Sequence, residues 1–268
     1  MSSAANSTLA RRGTVLSVAL LVVFLAAWQW GPGLLGIPPF IIPPLSMVYH
    51  EFLRMLAVSA LMTHTGITAA EVIAGFVLGS LLGAFFGYIL GMSPTAEFAL
   101  SPYILALQIA PKVAFAPLFI LWFGIGIESK IALVAAVVFF IVYFSTLSGV
   151  RALEPKLVQM AQIMGASERQ VGRHIVFPGA VPAIFAGFRI AVPYAIGGAV
   201  IAELISSNRG LGYLVQTGAM NFDTTQVFVA ILAATIIVHA FIAVIDVCER
   251  FLLRWRPRGA ALIVDHGT

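Results

Sequence analysis

An all-α fold that crosses a bilayer about six times is what this sequence predicts, and three observations carry it. Hydrophobic residues make up 60% of the 268-residue chain and charged ones only 10%, against roughly 25% charged in an ordinary soluble domain. Apolar stretches recur at lengths of about 20 residues, the length of helix that crosses hydrocarbon. Lysine and arginine then gather in alternate segments between those stretches, as they do when one face of a membrane retains them.

The mean hydropathy of +1.02 leaves too few polar side chains to cover a water-facing surface. The net charge of +4 therefore reports topology, and no nucleic-acid partner is expected. The single cysteine, Cys248, excludes an internal disulfide framework and a cysteine-based zinc site.

The predicted spans are 14–30, 67–90, 104–125, 131–150, 180–205 and 227–247. Arg11 and Arg12 precede the first, which could pass for a secretory signal. Leu25 and Ala27 before Trp28 make a poor cleavage site, so an uncleaved anchor is expected. With the N-terminus inside, the cytoplasmic side holds Arg11, Arg12, Arg151, Lys156, Arg169, Arg173, Arg250, Arg254, Arg256 and Arg258. Only Arg54, Lys130 and Arg209 fall outside, while Lys112 and Arg189 lie within or near spans. Both termini are thus expected in the cytoplasm. The organisation predicted is a cytoplasmic tail (1–13), a first span with an outer segment (14–66), the main transmembrane domain (67–249) and a second tail (250–268).

The outer segment opens on the proline-rich run 37–44, which cannot be a regular helix interior. Ser46 then reads as the cap of an interfacial or packed outer helix over 46–61, with Val48, Phe52, Leu53, Leu56 and Leu61 on its apolar positions. In the second span Gly75, Gly79, Gly83, Gly87 and Gly91 recur every four residues. Such a stripe lets a second helix approach closely, either in the same subunit or across a dimer.

The most informative stretch is 151–178, between the fourth and fifth spans. Pro155 can open a helix, on which Leu157, Val158, Ala161 and Met164 form an apolar stripe. Gly165 suits the helix end. Ser167 and Gln170 have the spacing of a capping box that starts a second short helix. Two short helices with exposed apolar faces around a Gly-Ala-Ser turn make a docking element for a cytoplasmic partner.

Here the sequence resembles the inner-membrane permeases of ABC importers, whose signature is Glu-Ala-Ala, three residues, Gly, nine residues and Ile-x-Leu-Pro. The same frame reads Gln159-Met160-Ala161, Gly165, then Ile175-Val176-Phe177-Pro178, with every spacing kept. Gln159, Met160 and Phe177 depart in identity, and Gln159 lacks the charge of the family's Glu. The likeness extends to the run Pro111 to Gly124, to Ala202-Glu203 and to Asn208-Arg209-Gly210-Leu211-Gly212-Tyr213. There the sequence is similar to the nitrate, sulfonate and taurine branch, which also includes carriers of thiamine-precursor pyrimidines. The resemblance implies a coupling helix that sits in a groove of an ATPase subunit, carried by Gln159, Met160, Ala161, Gly165, Ala166 and Ser167. It also implies a permease dimer, two ATPase copies and an external solute-binding protein.

Ionisable groups inside hydrocarbon mark candidate pathways. Lys112 follows Pro111, and Pro117 is expected to break the same helix again. Glu203 is expected to order the outer loop with Arg209 or to meet solute. Arg189 reads as a residue of the cytoplasmic rim. His239 and Asp246 read as helix packing, with Asp246 paired to Arg250 one turn on. No phosphate loop, zinc motif or nucleophile elbow is present, so no cofactor and no catalysis by this chain are expected. The competing reading is an ion-coupled secondary transporter, which usually carries an inverted repeat; none is evident.

Overall fold

With no water in hydrocarbon, backbone N–H and C=O groups must pair within their own segment, and the described residues contain helices and no strand. The computed structural model describes residues 2–254; Arg256 and Arg258, with the rest of 255–268, lie outside the described residues. In chain order the helices are α1 (Ser2–Leu34), α2 (Leu45–Ala57), α3 (Ala60–Met92), α4 (Pro94–Ile109), α5 (Ala116–Phe123) and α6 (Ile127–Arg151). They continue with α7 (Pro155–Ile163), α8 (Glu168–Val171), α9 (Phe177–Ser206), α10 (Leu211–Met220) and α11 (Thr224–Leu252). Among the described residues five helical runs are long and apolar enough to cross a membrane, and six if the bent pair Pro94–Ile109 and Lys112–Phe123 is one span.

That bend corrects one expectation. The third span is not a straight helix over 104–125: its two halves meet at 82°. Pro111 supplies no N–H to the turn before it, and a 3-10 turn, Lys112–Phe115, follows. Pro117 does not break the helix a second time. It stands in the first turn of α5, where a missing N–H costs nothing.

The chain forms two compact units, residues 2–66 with 208–234 and residues 67–207 with 235–254. In the first, the stretch Gly13–Leu34 of α1 has none of its apolar window buried. The proline-rich run is pinned to α1 by Trp28, whose indole N–H donates to the Pro43 carbonyl at 3.1 Å. Ser46 was expected to cap α2, yet Pro44 holds the cap position with no side-chain bond. Ser46 instead gives its N–H to Gln29 Oε1 at 2.9 Å, and its hydroxyl accepts from Gln29 Nε2 at 3.1 Å. Nor does α2 run to residue 61. The chain turns at Ser59, with φ +56°, and Leu61 belongs to α3.

In the same unit the Asn208–Tyr213 motif is fastened to the start of α3. Gly210, at φ +106°, takes a conformation that a side chain would oppose. Its N–H donates to His64 Nδ1 at 2.9 Å, and the His64 ring stacks on Tyr213 with centroids 5.8 Å apart. A donor pointing at Nδ1 fixes the imidazole tautomer with any single proton on Nε2.

The second unit is built around α6 and α9. Val134, Val138 and Val142 of α6 and Ala191, Ala195 and Ala199 of α9 are fully buried. The glycine stripe of α3 lies along α6. A Cβ on Gly79, Gly83 or Gly87 would come within 2.6 Å of a backbone carbonyl of Ala135, Phe139 or Tyr143. A second seam joins α6 to α9, where Gly149 faces Ala183 and Gly187 faces Ser145.

These distances set an expected outcome. Gly79→Ala should cost about 1–3 kcal/mol, the usual penalty for overfilling a packed contact, and lower the thermal midpoint in detergent. Gly66→Ala, on the same helix with nothing within 4 Å, should leave the midpoint unchanged or raise it.

Candidate functional site

The segment 151–178 contains a short helical hairpin whose turn is specified locally. Pro155 occupies the first turn of α7, and α7 ends in a Schellman motif. The Gly165 N–H donates to the Gln162 carbonyl at 2.9 Å, and the Ala166 N–H to the Ala161 carbonyl at 3.0 Å. Gly165 makes this possible with φ +86°. The capping box forms next: Ser167 N–H donates to Gln170 Oε1 at 2.8 Å, and Ser167 Oγ accepts from the Gln170 N–H.

The second short helix is not separate, as the sequence suggested. α8 passes through a π turn, Gly172–Val176, straight into α9, so Glu168–Ser206 is one helical run. The cause is Pro178, which has no N–H for the His174 carbonyl. The ladder shifts by one residue, and the Phe177 N–H donates to the Gly172 carbonyl. Gly172 is packed so closely that an added Cβ would lie 2.8 Å from Tyr88 Oη.

The predicted apolar stripe of α7 divides into two faces. Val158 and Ala161, with Ala166, pack on the buried cluster of Val150, Val171, Val176 and Ala180. Leu157, Met160, Ile163 and Met164 point away, with Ile163 at 86% and Met164 at 84% exposure. Gln159, Gly165 and Ser167 are exposed as well. At the start of the segment Arg151 forms an ion pair with Glu97 in the first turn of α4, where Glu97 is 7% exposed. The outward apolar row is therefore carried on a hairpin anchored at both ends.

Among the intramembrane candidates, Pro111 and Lys112 sit at the bend between α4 and α5. The Lys112 ammonium lies 4.7 Å from the Phe140 ring centroid and donates to the Gln108 carbonyl. That carbonyl lost its helical partner where the chain turned at Pro111, and a lysine at a helix end commonly fills such a gap. Pro117 is exposed one turn further on. Glu203 lies elsewhere, fully buried in α9, where it accepts a 2.6 Å hydrogen bond from Thr68. The structure does not bring Glu203 and Lys112 into one site.

Three charged residues differ from the sequence reading. Lys130, counted among outer residues, is 7% exposed within α6 and lies 3.3 Å from Glu71. Arg189 has partners that the sequence reading did not name: it pairs with Asp246 at 2.6 Å and with Glu249, both near the end of α11. Asp246 thus pairs with Arg189, where the sequence had suggested Arg250. Glu71 was missed, although a lone carboxyl inside the apolar run 67–90 was the signal to look for.

The described residues thus form a helix bundle with long apolar runs and an apolar hairpin at the start of one of them. The comparisons give the family. Residues 79–256 match the binding-protein-dependent transport system inner membrane components, and the chain belongs to that family. It is 35% identical to a riboflavin transport system permease protein of Chloroflexus aurantiacus, over 91% of this chain and 90% of that one. It is 32% identical to a putative aliphatic sulfonates transport permease of Bacillus subtilis, over 92% and 89%. It is also 32% identical to the taurine transport system permease of Escherichia coli, over 91% and 90%. The fold is shared with the inward-facing methionine ABC transporter MetNI, at a TM-score of 0.66 and 16% identity over 73% of this chain and 97% of that one. This chain is accordingly a permease subunit of an ABC importer and a multi-pass inner membrane protein, and the secondary-transporter reading is set aside.

Ser167→Ala removes the acceptor of the capping box. Loss of such a cap costs about 1 kcal/mol, so amide hydrogen exchange over 164–171 should quicken roughly fivefold, with the α3 and α6 amides unchanged.

Proposed function

We propose that the outward row of Leu157, Met160, Ile163 and Met164 seats this permease on an ATP-hydrolysing subunit. The observation that carries the reading is the exposure of four apolar side chains on a hairpin rigidly joined to α9. A row of this kind is costly to leave in water, and a groove on a partner removes it. Gln159, Ala161, Gly165, Ala166 and Ser167 shape or border that surface. Two copies of the permease and two ATPase subunits form the assembly, with a solute-binding protein delivering solute from outside. Hydrolysis belongs to the ATPase, and this chain supplies the path through its transmembrane domain (67–249). Both termini face the cytoplasm, consistent with basic residues such as Arg151, Lys156, Arg169 and Arg173 gathering on the docking side.

The solute is small and carries negative charge or a heteroaromatic ring. The relatives named for riboflavin, taurine, sulfonates and formylaminopyrimidine support that class. So does Lys112, a cation beside an aromatic ring at the bend marked by Pro111 and Pro117, where broken helices line cavities in membrane proteins.

Co-purification with the cognate ATPase in detergent tests the docking surface. Ile163→Asp should abolish retention of the ATPase while leaving the thermal midpoint of the isolated permease in place, because the Ile163 side chain is exposed. Retention at the wild-type level would remove α7 from the interface. For the path, Lys112→Met should reduce uptake of a taurine or alkanesulfonate probe into proteoliposomes roughly tenfold, the effect of one lost charge-assisted contact. ATPase retention should not change.

A further inference from the structure

α4 is set off from its neighbours by a break at each end. Ser93, extended with φ −125° and ψ 91°, separates it from α3, and at the other end the chain bends by 82° into Lys112–Phe123. Little of the helix is packed. Of its described residues Glu97 is the one that is buried, while Phe98, Tyr103 and Ile109 are exposed. Ile104 touches the cluster of Leu90, Tyr143 and Leu147. Beside that contact a cleft of about 270 Å³ lies between Ser101 and Leu105 of α4 and Tyr143 and Ser148 of α6. Glu97 and Arg151 line the same cleft. They form an ion pair through Arg151 Nη2 and Glu97 Oε1, and Arg151 Nε donates to Glu97 Oε2 at 3.3 Å. Two nitrogens on two oxygens make a fork that fixes direction as well as distance.

The two partners belong to parts of the molecule that are held differently. Arg151 is the last residue of α6, just ahead of Pro155 at the start of α7. α6 is seamed to α9 at Gly149 and Gly187, and α9 is continuous with the hairpin through the π turn. Elements packed this closely shift as one body. α4 lacks such packing, and its buried carboxylate is the group that binds it to the end of α6. A buried carboxylate deprived of its cation is strongly unfavourable, so the first turn of α4 follows Arg151 when the hairpin moves. The far end of the same helix is the bend that carries Pro111 and Lys112.

We infer that Glu97 and Arg151 couple the hairpin to the bend at Pro111, with α4 as the rigid strut between them. Displacement of α7 by the ATPase is passed through the ion pair to α4 and changes the bend at its other end. Both are positioning residues, acting on the path through α4 and not by contact with solute. The inference rests on the reading of α7 as the seat of the ATPase and of the bend as part of the path. It adds the link by which one works the other.

A cysteine at the bend tests the link in the full-length permease bound to its cognate ATPase in lipid nanodiscs, with no solute needed. Val113, which is exposed, is changed by Val113→Cys in a Cys248→Ser background. Its rate of reaction with a water-soluble maleimide is measured with and without vanadate-trapped nucleotide. With Glu97 and Arg151 in place, trapping should change that rate severalfold. Glu97→Gln leaves no buried charge unpaired, since Arg151 is exposed. It should abolish the response while the ATPase stays bound. The double variant Glu97→Gln/Arg151→Gln should do the same, so a folding failure in one leaves the other to decide. A folded Gln variant that responds as the paired chain does would overturn the inference. So would a paired chain whose bend ignores nucleotide with the ATPase bound. Failure of the paired chain to retain the ATPase at all would overturn the docking reading, and this inference with it.

Discussion

Apolar side chains gain little by leaving lipid for one another, so a bundle in a bilayer needs another reason to hold together. Close backbone contact supplies it. In this chain the contact begins on α3, where glycines at every fourth position remove the side chains that would separate it from α6. The carbonyls of Ala135, Phe139 and Tyr143 occupy the space that Cβ atoms would need. The seam on the other side of α6, with Gly149 against Ala183 and Gly187 against Ser145, then fixes α9. Because α9 continues into the hairpin, the placement of the hairpin depends on both seams.

Within the hairpin, residues that share one sequence frame have different tasks. Ala161 and Ala166 are drawn inward onto Val150, Val171 and Val176, and Gly165 sets the turn. Met160 looks outward with Leu157, Ile163 and Met164. The small residues fix a shape, and the large exposed ones present it.

Features specified by neighbouring residues were legible in the sequence. The Gly165 turn, the Ser167–Gln170 box and the spacing of the α3 glycines each depend on local geometry or on helical period alone. Other features depend on partners far along the chain. Lys130 looked like a loop residue because nothing near it in sequence announces Glu71. Asp246 seemed to belong with Arg250 because the helical neighbour is visible and Arg189 on α9 is not. Pro111 marked where the third span would break but carried no information on the 82° angle. The end of α2 was missed because Ser59 takes a left-handed conformation usually left to glycine.

The π turn before Pro178 has a consequence for how such subunits can be recombined. Each residue in an α-helix advances the chain by about 100° around the axis, so one residue more or fewer in the turn swings everything beyond it. The azimuth of the hairpin around α9 is therefore set by a residue count, the number of positions between Ser167 and Pro178, more than by the side chains in between. A chimera that grafts a relative's hairpin onto this bundle keeps its aim only if it keeps that count. Two sequences of low identity can be interchangeable at this joint, while two nearly identical ones that differ by a single deletion cannot.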